Sequence, residues 1–400
     1  MPWKECSPMD LRREFVALAQ VEGANVALLC GRYGISRKTG YKWMGRFKAG
    51  GTEALLDQSR RPRRSPLIMD KTLESQVVAL RKEHRSWGGR KIKARLRALG
   101  CCKTPSTGAI TRALHRHGMI KPVDPFNVHA PRRFEHKAPH DLWQMDFKGH
   151  FALTDGSRCH PLTVLDDHSR YSIVLEACSN ERGETVRGHL IQAFRRYGLP
   201  RRILSDNGSP WGTSGSCIEE QWTKLTVWLL RLGIRVIHGK PHHPQTQGKE
   251  ERFHRTLVSD LLKWEGMSDL SDAQEHFVRY RETYNHVRPH EALKMACPGQ
   301  RFTVSPRRYP EVLPEVKYKH EDIVLKVSRN GRIFRGGRAY AIGKPFIGEL
   351  VALRPTVKKG LWEVYYCHQR IGWLDEEQGR TLGPRLGRSL AALASVPDAK

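Results

Sequence analysis

The sequence predicts an α/β domain with a mixed sheet, preceded by all-α helix-turn-helix units and followed by a small β-barrel. Apolar residues recur at helical spacing over about the first 120 residues. From about residue 140, antiparallel strands give way to alternating helices and strands, which is typical of an α/β domain. From about residue 310, short strands separated by turn residues indicate the small β-barrel. A chain of 400 residues is long enough for roughly two to four domains.

The charge of the chain indicates the class of its partner. The 69 Lys and Arg residues exceed the 41 Asp and Glu residues, which gives a formal net charge of +28 and a pI of about 10.0. A surplus of this size favours a polyanion, because each phosphate that a basic residue neutralises releases a counterion. Nucleic acid is therefore the expected partner, although a basic surface alone specifies no reaction.

Several classes of protein are excluded by what the sequence lacks. No apolar run approaches the roughly 18–20 residues needed to cross a bilayer, and the first residues lack the apolar core of a signal peptide. The 9 cysteines have neither the C-x-x-C spacing of a zinc site nor the regular spacing of a disulfide framework. We expect free thiols in a reducing cytoplasm and no association with a membrane.

Residues 8–57 are predicted to form a helix-turn-helix domain that binds DNA. Two short helices, the second over Asn25 to Arg32, precede a tight turn at Gly34 and a candidate N-cap at Ser36. The next helix, Arg37 to Phe47, would enter a major groove as the recognition helix. Its candidate DNA-binding residues are Arg37, Lys38, Tyr41, Lys42 and Arg46. The alternative is an ordinary helical hairpin.

A basic linker, residues 58–69, follows this domain. Arg61, Arg63 and Arg64 are candidates to follow a phosphate backbone or to enter a minor groove. A solvated tether is the alternative, because prolines and charges are also common in linkers that bind nothing.

Residues 70–120 are predicted to form a second helix-turn-helix-like domain. Two such domains in tandem would let one chain contact a longer DNA site than one recognition helix can. The expected helices are Leu73–His84, Gly89–Leu99 and Thr107–His117, with Ser106 as the cap of the last one. Prolines mark residues 121–139 as the next linker.

Residues 140–300 are predicted to form the α/β domain. The expected strands are Asp141–Leu153, Pro161–Asp166, Ser172–Ala177, Arg202–Ser205 and Arg235–His238. The expected helices are Glu181–Tyr197, Ile218–Leu232, Thr246–Trp264 and Ser271–His286. Asp166 and Asp167 suit the turn between the second and third strands, so a structural role is expected for this pair of carboxylates.

Residues 310–380 are predicted to form the small β-barrel, with a basic surface that binds DNA. The expected strands are Asp322–Val327, Gly336–Ile342, Leu350–Leu353 and Trp362–Cys367. Residues 381–400 are expected to be a flexible tail.

Three acidic residues of the α/β domain are candidate ligands of a metal ion. Asp146 lies inside a strand, where a carboxylate between apolar neighbours is costly to bury unless it is paired or binds a cation. Asp206 lies where a short strand ends, which is where ligands bind in α/β sheets. Glu251 lies near the start of a helix. Carboxylates suit hard cations, so we expect two ions of Mg²⁺ or Mn²⁺, although a chain with 41 acidic residues offers many other sets of three.

The sequence around these carboxylates resembles a known family. The stretches WQMDF, LSDNG and HPQTQGKEERFHRTL, in this order, are similar to the integrase core shared by retroviral integrases and bacterial insertion-sequence transposases. The resemblance covers about residues 135–300, and YNHVRPHEAL from residue 284 adds a further transposase-like match. It implies an RNase H-like fold and places the acidic triad of the family on Asp146, Asp206 and Glu251.

The glutamate of the triad has a neighbouring rival. Glu250 and Glu251 lie on the same helix about 100° apart, so only one points easily at a metal site. The catalytic glutamate of the family is the third residue after the glycine, and here that residue is Glu251, with Gly248 as the glycine.

The chain also departs from the family pattern. Asp206 and Glu251 are 45 positions apart, which is wider than the usual spacing of the family. A loop around Ser209 to Cys217 accounts for the extra length. A basic residue that some relatives carry seven positions after the glutamate is replaced by Val258. The candidate DNA-binding residues of this region are Gln247, Lys249 and Arg255. Nearby histidines lack the spacing of a zinc site and are expected to be solvated or to face DNA.

These observations favour a transposase in the bacterial cytoplasm, associated with the nucleoid. It would bind the inverted-repeat ends of its element, hydrolyse a phosphodiester, and join the exposed 3′-OH to target DNA, without a small-molecule cofactor. Bringing two ends together implies a homo-oligomer. The alternatives are a DNA-binding regulator without catalytic activity and an RNase H-like, structure-specific nuclease.

Overall fold

The computed structural model describes residues 7–58, 69–120, 135–206, 208–212, 217–238 and 248–383. The chain forms two compact units, Met1–Ile68 and Met69–Lys400. Four candidate DNA-binding residues lie outside the described residues, as do most of the two predicted linkers and the predicted flexible tail. These four are Arg61, Arg63, Arg64 and Gln247.

The first unit is a small helical domain with a helix-turn-helix. Its helices are α1 (Pro8–Ala19), α2 (Val26–Arg32) and α3 (Arg37–Gly50), followed by a 3₁₀ turn at Thr52–Leu55. The predicted turn is present, because Gly34 has φ +64° and the Ser36 side chain accepts a hydrogen bond from the Thr39 N–H at 3.2 Å. The helices pack around Phe15, Val16, Cys30, Trp43 and Leu55.

The second unit begins with three helices. They are α4 (Lys71–Glu83), α5 (Gly89–Ala98) and α6 (Thr107–Arg116), and Ser106 caps α6 by accepting from the Ala109 N–H at 3.1 Å. A Cβ on Gly89 would lie 2.9 Å from the carbonyl oxygen of Thr107, so glycine allows α5 and α6 to approach closely. The shared core contains Val77, Trp87, Ile92, Leu96, Ile110 and Leu114.

These helices are joined to the α/β domain by a buried polar contact. The Ser86 hydroxyl and the Arg288 guanidinium both donate to the carboxylate of Asp260, the arginine at 2.9 Å. Val287 packs against the apolar core of the three helices. The helical segment and the α/β domain therefore belong to the same compact unit.

The α/β domain contains a mixed sheet. Its strands are β1 (Trp143–Phe147), β2 (Phe151–Ala152), β3 (Arg158–Asp166), β4 (Ser172–Cys178), β5 (Arg202–Ser205) and β6 (Arg235–His238). The order is β2-β3-β1-β5-β6, with β4 also paired to β3. β3 is antiparallel to β1 and β4, whereas β1, β5 and β6 are parallel. The strand predicted over residues 141–153 is interrupted, since Gly149 turns the chain with φ +89°.

Helices cover both faces of this sheet. Helices α7 (Gly183–Tyr197) and α8 (Lys224–Arg231) contribute to one apolar core. Helices α9 (Gly248–Leu257) and α10 (Leu270–Glu282) contribute to the other, and each continues into a π-helical turn. The single helix predicted over residues 218–232 is instead a 3₁₀ turn at Ile218–Glu220 followed by α8. The break arises because the Thr223 side chain caps a new helix by accepting from the Thr226 N–H at 3.3 Å.

The C-terminal region is all β. Its strands are β7 (Ile323–Lys326), β8 (Arg332–Arg335), β9 (Arg338–Ala341), β10 (Leu350–Pro355), β11 (Leu361–Tyr366), β12 (Gln369–Asp375) and β13 (Arg380–Leu382). Five of them form an open antiparallel sheet in the order β13-β12-β11-β10-β7, and β8 and β9 form a separate hairpin. The predicted small β-barrel is therefore not confirmed, and strands β8, β12 and β13 were not predicted.

The C-terminal sheet shares its core with the α/β domain. The Trp222 indole is buried and donates to the carbonyl oxygen of Ile371 at 3.0 Å. A Cβ on Gly372 would lie 2.4 Å from Cγ1 of Ile218, so the two parts meet without space between them. Because this sheet covers its apolar residues against another domain, it has no need to close on itself.

Two further expectations concern the described residues only. Their cysteines are all free, as predicted. None of their helices is both long enough and apolar enough to cross a bilayer.

Candidate active site

The fold brings Asp146 and Asp206 together. Trp143 and Gln144 of β1 lie beside Ile203 and Leu204 of β5. Extending this parallel register by two residues places Asp146 beside Asp206, and neighbouring strands lie about 4.8 Å apart. The negative charge of Asp206 acts on Asp146, so the two carboxylates that the sequence singled out lie close together at the end of β5.

Their proximity alters the chemistry of Asp146. The pKa of the Asp146 carboxyl is raised to about 7, first by burial and then by the negative charge of Asp206. The charge of Glu181 adds to this effect. A carboxylate destabilised in this way is a site where a bound cation is favoured.

The backbone after β5 holds the Asp206 side chain in place. Its Oδ1 atom accepts a hydrogen bond from the Gly208 N–H at 3.0 Å. A Cβ on residue 208 would lie 3.2 Å from Oδ2 of Asp206, closer than most side chains come to a neighbour. Glycine here leaves the carboxylate of Asp206 accessible.

Of the two adjacent glutamates, Glu250 is the one that lies against Asp146. Its residue is 1% exposed, and its Oε2 atom is 3.0 Å from the hydroxyl of Thr163, the residue paired with Asp146 on β3. Burial first, and then the charge of Asp146, raises the pKa of Glu250 well above its usual range. These surroundings favour the protonated, uncharged form of Glu250.

Thr163 is the centre of a buried polar cluster that also includes His254. The Thr163 hydroxyl lies 2.9 Å from the carbonyl oxygen of Asp146 and 2.8 Å from Nε2 of His254. The Thr163 hydroxyl can donate to the carbonyl oxygen of Asp146 or to the carboxylate of Glu250, and its role toward the His254 ring depends on the tautomer of that ring. Burial lowers the pKa of His254 to about 4, so its ring is uncharged at neutral pH.

The histidines differ from expectation. His254 and His290 are buried, so the prediction that they are solvated or face DNA is wrong for both. Helix α9 turns His254 toward the sheet on the same face as Phe253 and Leu257. Burial also lowers the pKa of His290 well below its usual range.

Glu251 points the other way. Its side chain is 64% exposed and lies 3.7 Å from the Arg255 guanidinium, one helical turn further along α9. Arg255 is itself 68% exposed. The helix thus presents one glutamate to the interior and the next to solvent, and the structure brings Glu250, not Glu251, against Asp146.

Glu181 is a residue near the site that sequence reasoning missed. It lies between β4 and α7, and Nδ1 of His160 lies 2.9 Å from its carboxylate. Its negative charge contributes to the raised pKa of Asp146. Glu181 carries no motif, so no pattern in a single sequence distinguishes it from other acidic residues between a strand and a helix.

The donor set of this site fits a hard divalent cation only in part. Asp146 and Asp206 offer oxygen ligands whose mutual repulsion a cation would relieve. Within the described ranges, however, no three side chains are already arranged to hold an ion. The third carboxylate of the predicted triad, Glu251, is the one that faces solvent.

The candidate DNA-binding residues have different surroundings. On α3, Arg37, Lys38, Tyr41 and Lys42 are exposed along one side of the helix. Arg46 is half-buried, stacks 4.9 Å from the Trp43 ring and donates to Gln58 at 3.2 Å. The Lys249 ammonium instead forms an ion pair with buried Asp167, so its charge is used inside the protein.

Comparison with known families agrees with this architecture. Models of the integrase core domain match residues 136–244 and 232–298. A model of the IS481 family transposase C-terminal domain matches residues 322–381. A helix-turn-helix domain matches residues 11–63, and a homeodomain-like domain matches residues 39–114.

Similar proteins come from bacterial insertion elements. The chain is 27% identical to the insertion element IS476 39.2 kDa protein of Xanthomonas euvesicatoria, over 59% of this chain and 66% of the relative. It is 30% identical to the insertion element IS407 31.7 kDa protein of Burkholderia multivorans, over 41% of this chain and 55% of the relative. The chain thus spans about two thirds or less of the length of these relatives.

Similar solved structures are retroviral. One is a simian T-cell lymphotropic virus intasome, with a TM-score of 0.38, 15% identity, and coverage of 75% of this chain and 96% of that chain. Another is the HTLV-2 integrase catalytic core domain in complex with magnesium, with a TM-score of 0.32, 16% identity, and coverage of 41% and 97%.

The matched domains follow one another along the chain in a consistent order. Two helix-turn-helix matches precede an RNase H-like integrase core. The core is followed by a C-terminal domain known from transposases. The chain is therefore similar, domain by domain, to integrase-core proteins and to the proteins of bacterial insertion elements.

Proposed function

We propose that this protein cuts and joins DNA, as a transposase that acts on the inverted-repeat ends of its own insertion sequence. The observation that carries the proposal is the pair of adjacent carboxylates, Asp146 and Asp206, at the end of β5. The helix-turn-helix of the first unit, with its row of exposed basic residues, supports duplex DNA as the substrate.

In this proposal Asp146, Asp206 and Glu251 hold two Mg²⁺ or Mn²⁺ ions. Such ions, when bound, activate the attacking oxygen and stabilise the leaving oxygen of an in-line phosphoryl displacement. Asp146 and Asp206 would hold the ions at the end of β5, and the ions would supply the positive charge that attracts the scissile phosphate. Glu251 lies in the first turn of α9, where its exposed side chain would hold an ion while Arg255 contacts a phosphate. No covalent bond to the protein is needed, so positioning and charge neutralisation are its whole contribution.

Two successive reactions would use this site. Water first attacks the phosphodiester at the end of the element, which releases a 3′-OH. That 3′-OH then attacks a phosphodiester of target DNA, so one bond forms as another breaks. Because two ends react together, we propose a homo-oligomer that acts in the bacterial cytoplasm.

The central test is strand cleavage by the Asp146→Asn variant. Purified protein with labelled element ends and Mg²⁺ is expected to nick those ends. Asp146→Asn removes one negative ligand without changing shape, so we expect nicking to fall at least about 100-fold while end binding stays the same. Asp155→Asn, which changes a carboxylate in an exposed turn, is the matched control. Nicking by Asp146→Asn at the control rate would contradict the assignment.

Two other functions are distinguished by the same assay. A DNA-binding regulator would bind ends without cleaving them in any divalent metal. A structure-specific nuclease would cleave branched DNA or RNA without forming joined products. Joined products that contain both element and target DNA would exclude these two alternatives.

A further inference from the structure

A basic cleft lies at the end of the sheet opposite the carboxylates. Its volume is about 450 Å³. The residues that line it are Arg201, Arg202, Gly233, Arg235, Arg307 and His368. Four arginines and a histidine around one cleft make it a candidate site for an anion.

The sheet topology separates this cleft from the candidate active site. Arg202 and Arg235 are paired at the start of the parallel strands β5 and β6. Asp206 follows the opposite end of β5, and four residues of strand span roughly 13 Å. A ligand in the basic cleft is therefore not the phosphodiester held beside Asp206.

Part of the cleft is held rigidly by the backbone. Arg307 donates to the carbonyl oxygens of Pro200 at 2.6 Å and Gly233 at 2.9 Å. Nε of Arg202 donates to the carbonyl oxygen of Asp141 at 3.1 Å. These contacts fix two guanidinium groups at the floor of the cleft without neutralising their charge.

The positive charges of the other two arginines, Arg201 and Arg235, are compensated weakly or not at all by carboxylates. The Arg201 side chain is 76% exposed, and its closest carboxylate is that of Asp141 at 3.8 Å. Arg235 is exposed, and within the described part of the chain its guanidinium has neither a hydrogen bond nor an ion pair. The positive charge of the cleft also acts on His368. Burial first, and then the charges of Arg235 and Arg307, lower the pKa of this histidine. An anion would relieve this repulsion.

We propose that the basic cleft binds the phosphate backbone of duplex DNA, at a stretch other than the bond being cut. Guanidinium groups match phosphate geometry by donating two hydrogen bonds at once. A cleft that is open and lined by several arginines suits a repeating polyanion, and the chain carries a net charge of +28. The inference takes its partner, DNA, from the proposed function, but it does not depend on cleavage.

The test is the salt dependence of DNA binding by the full chain with Arg235→Glu. Affinity for a labelled duplex without element ends is measured by fluorescence anisotropy over a series of NaCl concentrations. Losing one phosphate contact is expected to reduce the slope of log K against log[NaCl] by about 1 and to weaken binding roughly tenfold at 0.1 M salt. Arg235→Gln should give the smaller part of this effect, because it removes the charge without adding repulsion.

The matched control is Arg279→Glu. Arg279 is an exposed arginine of α10, on the helix that packs against β4, and the change in net charge is the same. If Arg235→Glu and Arg279→Glu bind duplex alike, the inference is overturned. If Arg235→Glu loses only the binding of inorganic tripolyphosphate, the cleft is a site for small anions and the assignment to DNA is overturned.

Failure of this inference can be told apart from failure of the proposed function. The inference is judged from duplex binding by Arg235→Glu and Arg279→Glu, whereas the proposed function is judged from nicking of end duplexes by the wild type. A wild-type protein that binds duplex through Arg235 but never nicks would contradict the proposed function alone.

Discussion

The Asp146 carboxyl affects the stability of the protein as well as its proposed chemistry. It lies in a strand beside Asp206, and the raised pKa of about 7 reports the cost of ionising it there. The unfolded chain ionises the same group near pH 3.8. Between these values the folded protein holds a proton that the unfolded chain has lost, so stability falls as pH rises from about 4 to about 7.

Asp146→Asn is therefore expected to stabilise the protein when no divalent metal is present. Above pH 7 the gain in the free energy of unfolding should be about 1–3 kcal/mol, discounted because the side chain is partly exposed. At pH 4 the gain should disappear, because the wild-type carboxyl is then protonated. Thermal unfolding in EDTA at both pH values measures this.

Mg²⁺ should instead stabilise the wild type more than it stabilises Asp146→Asn. An ion that binds only the folded state raises the melting temperature of the wild type, and Asp146→Asn should lose most of that rise. Equal responses to Mg²⁺ in the two proteins would show that Asp146 does not hold the ion.

The adjacent glutamates of α9 give a second prediction at this scale. Glu251→Gln is expected to abolish nicking without changing the melting temperature, because the side chain is exposed. Glu250→Gln is expected to keep both activity and stability, because the amide oxygen can still accept from the Thr163 hydroxyl. The reverse pattern in nicking would make Glu250 the metal ligand and would assign Glu251 to the surface.

At the scale of elements, local signals defined the helices well. Helices α3 and α6 begin at the predicted residues because Ser36 and Ser106 cap them through their own side chains. Strands β8, β12 and β13 were missed because a strand of three to seven residues is stabilised by its neighbours in the sheet, which lie elsewhere in the sequence. The break before α8 differs, because its cause is local: the Thr223 side chain caps the new helix.

Two glycines of α3 test the packing of the recognition helix. A Cβ on Gly40 would lie 2.5 Å from Sγ of Cys30 and 2.9 Å from Cζ of Phe15, whereas a Cβ on Gly45 would meet no atom within 4 Å. Gly40→Ala is expected to destabilise the domain by about 1–3 kcal/mol through overpacking. Gly45→Ala should stabilise it by roughly 0.5–1 kcal/mol, because alanine favours helix. Urea unfolding that ranks the two variants in the other order would contradict this packing.

At the scale of the whole molecule, the C-terminal sheet and the α/β domain share one core. The sequence predicted a separate barrel, because strand patterns reveal which faces are apolar and not what covers them.

The candidate site was predictable in part for a related reason. Motifs identified Asp146 and Asp206, but the choice between Glu250 and Glu251 depends on how α9 lies against β3, which is set by distant contacts such as Phe253 with Tyr284.

The shared core predicts that both parts unfold together. Trp222→Ala removes a buried indole and its bond to Ile371, so we expect a loss of about 3–5 kcal/mol and a single shifted transition. Trp264→Ala, at a half-exposed indole, should cost clearly less. Calorimetry that resolves a separate transition for the C-terminal sheet would contradict a common core.

The contact between Ser86 and Asp260 has a mechanical consequence. Asp260 lies in the π-helical turn that continues α9, the helix that carries Glu251 at its other end. Arg288 donates to the other oxygen of the same carboxylate. If the α4–α6 segment moves away from the sheet, either the Ser86–Asp260 hydrogen bond breaks or the C-terminal end of α9 moves with the segment. The Ser86–Asp260 contact therefore links the position of the α4–α6 segment to that of the helix that carries Glu251.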